Sequence, residues 1–350
     1  MVDERRLKSK SYKMKARKKK KNIIFIKGNG MIDLSIIIVN FNTRELLRQC
    51  LQSLYNTTRN VNFEVHVVDN DSSDGSTEMV KKEFPQVKLI ENKRNEGFSR
   101  ANNKAIPRTK GRYVLLLNSD TVVLIQELYK MVAFMDERRE AGVVGCKLIN
   151  KDGNLQLSAA WFPSLAKAFF GGEFVPKALG RLLGMERFPG QTYLTTMSHE
   201  EIQDVDWVCG ACLMVRKAVI EDVGLLDEKL FMYGEEIDWC FRIKKAGWKV
   251  MYYPNAKIVH YQRGSTKIRS QFELAMLRLV FSERYVYCKH HNSLSSRIYN
   301  VIITIIAIVK FLLWGLLLPF IPNKNNALTH LSYHRAILKS LFVYRRMLAE

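Results

Sequence analysis

Three times within the first 120 residues an apolar run ends in a cluster of Asn, Asp and Ser, and no other feature constrains the fold as strongly. The runs are Leu34–Asn42, Val67–Gly75 and Leu115–Asp120. Between them lie segments with apolar residues at helical spacing, so the order is strand, helix, strand, helix. Such alternation implies a parallel sheet covered on both faces, and in an open α/β sheet ligands bind outside the carboxyl ends of the strands. The three polar tips therefore mark one candidate site. Asp69 is placed to accept a hydrogen bond from the imide N–H of a pyrimidine, with Asn40, Asn42, Asn70 and Ser72 to orient base and sugar. Asn118 and Asp120, one residue apart, suit a hard divalent cation such as Mg²⁺ or Mn²⁺, which prefers oxygen ligands.

The periodicity predicts strands over 34–39, 63–68, 87–91 and 112–117, and helices over 43–56, 75–84, 99–106 and about 124–138. Thr43 and Ser76 stand where helix caps are expected. Residues 153–206 are irregular, with Pro163, Gly171, Gly172, Pro176 and Pro189, and read as a long functional loop. A strand near Val205–Val215, a helix over Glu235–Ala246 and strands over 248–252 and 256–260 follow. Six scattered cysteines, including Cys209 and Cys212 in a lone CxxC, read as reduced thiols.

The chain of 350 residues has a formal net charge of +21, unevenly spread. Residues 1–30 hold 12 basic and two acidic side chains, and 261–350 hold 13 and three, while 31–260 are nearly balanced at 30 and 29. Basic ends on a balanced body argue against a nucleic-acid groove and for ends that meet an anionic surface. Residues 1–30 read as a disordered tail. The apolar stretch 298–321 would be roughly 36 Å long as a helix, enough to span a bilayer. Lys310 sits near its middle and both flanks are basic. This favours an in-plane or re-entrant membrane element with both flanks cytoplasmic over a single span or an ordinary buried helix. Apolar positions from Phe272 to Val286 and from Leu328 to Leu348 repeat at helical spacing with basic residues between, as in interfacial helices.

Further blocks add chemistry. In Asn95–Asn103, Gly97 permits close approach of the backbone to a ligand, and Ser99 precedes the amides Asn102 and Asn103. Together with Ser35–Asn42, Val68–Ser76, Leu116–Thr121, Val205–Ala211, Phe231–Arg242 and His260–Thr266, these blocks resemble the family 2 glycosyltransferases of GT-A fold, within their bacterial rhamnosyltransferase-like branch. The resemblance covers 33–266. It implies an α/β, Rossmann-like domain with a nucleotide-sugar half (about 31–150) and an acceptor half (about 151–266), followed by a membrane-associating helical region, 267–350.

The resemblance also implies roles. Asp69 falls on the base-binding position and Asp120 on the metal-binding position, with Asn118 replacing the other carboxylate of the usual motif. His260 completes the metal or diphosphate site. Asn95, Gly97, Phe98 and Asn102 join the nucleotide-sugar residues, and Trp207, Gly210 and Trp239 face the acceptor, with Trp161 and Phe162 nearby. Relatives carry Glu-Asp where this chain has Glu235-Glu236, so Glu236 falls on the catalytic base, with Glu235 and Asp238 as alternatives. Asp238 can equally pair with Arg242 one turn along. The implied reaction is inverting transfer from a dTDP- or UDP-sugar, rhamnose above all, to a lipid-linked or other saccharide at the cytoplasmic face of the bacterial inner membrane. Two other readings stay open. A nucleotidyltransferase is disfavoured because Asn40–Thr43 is no triphosphate loop. A non-catalytic saccharide-binding protein is kept open by the Glu at the base position.

Overall fold

The computed structural model describes residues 31–165, 199–261, 269–320, 328 and 330–340. The expected tail 1–30, the greater part of the loop 153–206, and Arg263–Thr266 of the last block lie outside the described residues. In chain order the elements are β1 (Leu34–Asn40), α1 (Arg44–Thr57), β2 (Phe63–Asp69), α2 (Ser76–Glu83), β3 (Lys88–Glu91), α3 (Gly97–Ala105), β4 (Tyr113–Asn118), β5 (Thr121–Val123), α4 (Glu127–Glu137) and β6 (Ala141–Ile149). The short strands β7 (Leu155–Gln156), β8 (Ala159–Ala160), β9 (Gln203–Val205) and β10 (Trp207–Val208) follow. The last elements are β11 (Cys212–Arg216), α5 (Lys217–Val223), α6 (Glu235–Lys245), β12 (Lys249–His260), α7 (Arg269–His290) and α8 (Ser293–Leu317).

The main sheet runs β3-β2-β1-β4-β11-β6-β12-β5. Its first four strands are parallel, as the βα alternation requires, and β11 then enters antiparallel between β4 and β6. The sheet as a whole is thus mixed. Side chains alternate between two apolar layers: Ile36, Ile38, Leu115 and Leu117 pack under α1 and α4, while Ile37, Val68 and Leu116 pack against α3 and α6. Burial on both faces explains why the strands read as unbroken apolar runs. Each such side chain contributes roughly 1.5–3 kcal/mol of transfer free energy.

Register puts the polar tips side by side. Asn40 pairs with Asp69, Val39 pairs with Asn118, and His260 at the end of β12 pairs with Thr121 of β5. The two strands expected over 248–260 are one strand, irregular between Tyr253 and Lys257. Pro254 sits at this break, where its missing N–H costs no ladder bond.

The C-terminal helices do not stand apart from the domain. Val286 of α7 belongs to the core layer beneath α6, whereas Val280 packs with Ala307 of α8 and Ile337. The polar Asn300 of α8 faces inward and accepts a hydrogen bond from the buried Arg284 at 2.6 Å. On the outer face Leu294, Ile298, Val301, Ile305, Ile308, Leu312 and Leu316 form one exposed stripe. By length and composition α8 is the one described helix able to cross a membrane.

Candidate active site

Two polar clusters, one around Asp69 and one around His260, are joined through the consecutive residues Asn118, Ser119 and Asp120. Buried Asp69 accepts bonds from the Asn40 side-chain amide (2.7 Å) and the Ser72 N–H (2.8 Å). Asn40 in turn accepts from the Thr43 hydroxyl at 2.6 Å, and Thr43 meets Ser119 at 2.8 Å. Beyond Ser119, the Asn118 amide lies 3.3 Å from His260 Nε2, and that nitrogen lies 3.2 Å from Asp120 Oδ1. Asp69, Asp120 and His260 thus lie together, largely buried, at the carboxyl end of the sheet. The first two tips are also locked together, since Asn42 Oδ1 accepts from the Ser73 N–H at 2.8 Å. Among the described non-glycine residues five have positive φ, and three of these, Asn42, Asp71 and Tyr233, are at this end. Such strain collects where surroundings over-determine the backbone.

The helix starts are held differently from expectation. Thr43 occupies the N-cap of α1 without capping it, because its hydroxyl serves Asn40 and Ser119. Asp74 does that work for both helices, accepting the Arg44 N–H at 2.8 Å and the Ser76 N–H at 3.1 Å. Burial alone would raise its carboxyl pKa, but these bonds and the Ser76 hydroxyl hold it below its ordinary range.

A second group gathers around Gly97 and Phe98. Asn70 donates to the Gly97 carbonyl (3.1 Å), and the Phe98 N–H donates to the Phe231 carbonyl (2.6 Å). Gly97 has φ +83°, and a Cβ there would lie 2.4 Å from the Phe231 carbonyl oxygen. Gly97→Ala is therefore expected to push Phe231 away and cost at least about 1–3 kcal/mol from strain at positive φ, read as a lowered thermal midpoint. From Phe231 the chain turns through left-handed Tyr233 and Gly234 (φ 73° and 83°) into α6, which opens with Glu235 and Glu236.

Helix N-termini favour acids, yet burial dominates here. It pushes the Glu236 carboxyl up to about 7, and raises Glu235 well above its ordinary value with help from the adjacent Glu236 charge. One oxygen of each carboxyl is buried without a hydrogen-bond partner. Burial and the nearby Glu236 charge also push the Cys209 thiol up to about 12. The adjoining Gly210 would bring a Cβ within 3.7 Å of Phe98. Gly210 and Phe98 are thus neighbours beside Asn70, and the Glu236 charge reaches the adjoining Cys209.

Asp120 and His260 also fit a divalent ion. Their 3.2 Å separation is close to the roughly 3.0 Å between adjacent ligands on an octahedral ion with bonds of about 2.1 Å. No group of three or more His, Cys, Asp or Glu able to hold a metal occurs among the described residues. One or two protein ligands suffice for a cation whose other ligands are phosphate oxygens and water.

Comparison with known proteins decides the family. The family model described as "Glycosyl transferase family 2" matches residues 35–224. The chain belongs to glycosyl transferase family 2. It is 27% identical over 248 residues to N-acetylglucosaminyl-diphospho-decaprenol L-rhamnosyltransferase of Mycobacterium tuberculosis, covering 67% of this chain and 77% of that protein. It is also 27% identical over 212 residues to Rhamnosyltransferase WbbL of Escherichia coli, covering 57% and 73%. The mannosyltransferase PcManGT of Pyrobaculum calidifontis, solved with GDP-Man and Mn²⁺, aligns over 95% of this chain and 93% of its own with a TM-score of 0.55 at 14% identity. GalNAc-T7, solved with UDP, GalNAc and Mn²⁺, aligns over 74% and 48% with a TM-score of 0.51 at 17% identity. These likenesses show the GT-A fold.

Within this family 2 domain, several candidate residues are used for structure. Asn70 is 2% exposed and its amide is spent on Gly97 and Asn92. Asn102 is fully buried and donates to the Phe98 carbonyl, and Asn103 both donates to and accepts from the Leu226 backbone. Asn95 receives the Gly97 N–H and so shapes the turn. Trp239, expected to face an acceptor, is instead fully buried, with its indole N–H on the Gly224 carbonyl. Trp207 is 8% exposed and donates to the Trp161 carbonyl, while the Trp161 ring itself stays exposed.

Asp238 leaves the catalytic candidates for a physical reason. It is fully buried and lies 2.9 Å from Arg242, 2.7 Å from Lys289 and 2.7 Å from His290. Burial would raise its carboxyl, but His290, Lys289 and Arg242 more than reverse this and hold it near about 2. A carboxylate so held is too weak a base, and it fastens α7 to α6. Asp238→Asn is expected to cost about 3–5 kcal/mol, the usual effect of breaking a buried ion pair, and to speed amide exchange in α7. Sequence reasoning missed Gln156, which contacts His260 Nδ1 at 3.0 Å and donates to its carbonyl at 2.6 Å. It arises from the irregular segment, where no pattern marked it.

Proposed function

We propose that this family 2 glycosyltransferase moves a sugar, rhamnose from dTDP-rhamnose being the best candidate, to a lipid-linked saccharide, with inversion at the anomeric carbon. One observation carries the reading: Asp69, Asp120 and His260 meet at the carboxyl end of the sheet through the polar contacts that converge on Asn118–Asp120. Asp69 meets the pyrimidine, and Asn42 and Ser72 border the ribose. Glu236 takes the proton from the acceptor hydroxyl as its oxygen attacks the anomeric carbon, and the nucleoside diphosphate departs on the opposite side. A pKa near 7 suits a general base at neutral pH. Asp120 and His260 would hold Mg²⁺ or Mn²⁺, which supplies charge neutralisation for the diphosphate.

The donor and acceptor assignments draw on the rhamnosyltransferase relatives, one of which is named for a diphospho-decaprenol acceptor. The exposed stripe of α8 and the basic C-terminal region favour an acceptor presented at an anionic membrane surface, its cytoplasmic face. A thermal-shift screen of nucleotide sugars with and without Mn²⁺, followed by transfer assays, tests the reading. Ligands that bind only the native state raise the midpoint, so dTDP-rhamnose is expected to raise it, more so with Mn²⁺. No shift with any nucleotide sugar would end the reading.

A further inference from the structure

One face of α7 lies along the acceptor side of the domain, and its polar residues meet the domain in turn. Ser282 backs Gly234, where an added Cβ would come within 2.7 Å of the serine Cβ. Tyr285 donates to Asp227 at 2.9 Å, Lys289 bridges Asp227 and Asp238 at 2.6 and 2.7 Å, and His290 meets Asp238 and stacks on Phe241 with centroids 4.0 Å apart. Arg278, one turn before Ser282 on the same face, breaks this pattern. Its guanidinium carbon lies 4.1 Å from the centroid of Phe231, and it has no carboxylate partner among the described residues. A guanidinium stacked on a ring keeps its N–H edge free for a planar or tetrahedral oxyanion. The Tyr233 hydroxyl, raised chiefly by burial, feels the charges of Glu235, Arg278 and Glu236 together, so Arg278 lies within electrostatic reach of the turn that opens α6.

We propose that Arg278 binds the diphosphate of a lipid-linked acceptor, holding it beside Phe231 while the sugar it carries reaches Glu236. This rests on the glycosyltransferase reading above and deepens it. Two sources can offer a diphosphate here, the carrier lipid and the departing nucleotide. Position favours the lipid. Arg278 belongs to the helix that leads into apolar α8, whereas the nucleotide residues Asp69 and Asp120 sit on the strand tips. Phe231 touches both Arg278 and the Gly97 turn, and so lies between the two sides.

The test uses the full chain with zwitterionic vesicles, with and without undecaprenyl diphosphate, and separate titration of dTDP and UDP with Mn²⁺. Wild type is expected to bind the diphosphate-bearing vesicles more tightly than the plain ones. Arg278→Ala is expected to lose about 10- to 100-fold of that increment, the worth of a charge-assisted hydrogen bond, and Arg278→Lys to keep part of it. Nucleoside diphosphate affinity should stay unchanged in both variants, which also reports an intact fold. No increment in wild type, an increment unaffected in Arg278→Ala, or a loss of nucleoside diphosphate affinity instead would each overturn the assignment. Failure of the glycosyltransferase reading shows separately, as wild type that binds no nucleotide or nucleotide sugar.

Discussion

Asp120→Ala is expected to lower transfer by about 10²–10³-fold or more, the usual loss when charge stabilisation of a leaving group is removed. The reason is local. Asp120 touches His260 through its side chain at 3.2 Å, whereas its backbone carbonyl receives the Tyr261 N–H at 2.9 Å, and Thr121 pairs with His260 through the β5–β12 ladder. The substitution removes the carboxylate and leaves that backbone pairing in place, so the thermal midpoint without ligand should change little. Titration calorimetry should show that dTDP affinity no longer rises on adding Mn²⁺. Normal turnover by this variant, or retained Mn²⁺ dependence, would remove the assigned role.

Glu236→Gln is expected to abolish transfer by about 10²–10⁴-fold, the range for loss of a general base, with donor affinity unchanged. The carboxyl pKa gives two further expectations. A base works deprotonated, so kcat/KM should fall as pH drops through about 7. For stability the sign is reversed. A carboxyl raised from 4.5 to about 7 on folding binds more protons in the native than in the unfolded state across that window, so stability falls as pH rises through it. Removing the charge should therefore stabilise the protein at pH 8, by on the order of 3 kcal/mol. An inactive but more stable variant is the signature of a functional group placed against its own solvation preference. A Glu236→Gln variant that is inactive and markedly less stable would point to a structural role. Glu236→Asp should restore little, because one methylene less misplaces the base.

Much of this was legible because parallel strands covered on both faces must be apolar throughout and must stop where the ligand begins. That logic located Asn40, Asp69, Asn118 and Asp120 from the residues alone, and the i,i+4 spacing of Asp238 and Arg242 foretold their ion pair. What local pattern does not encode is register between distant segments. Nothing near Asp238 announces Lys289 and His290, some 50 residues later, which turn a base candidate into a clamp. Nothing near Trp239 says that its face of α6 turns into the sheet instead of the cleft. The amides of Asn95–Asn103 looked like ligand donors for a similar reason. Amides suit buried turns as well as sugars, and Asn70, Asn102 and Asn103 bind the backbone of their own domain. The antiparallel entry of β11 also escaped detection, since a two-sided apolar strand reads the same in either direction.

A crystal structure with dTDP and Mn²⁺, with the metal located by anomalous scattering, would probe the shared site most directly. The account predicts a single Mn²⁺ peak within coordination distance of Asp120 and His260, bridging to the diphosphate, with the thymine ring against Asp69. Nucleotide and metal bound at separate places, or a thymine ring away from Asp69, would contradict it.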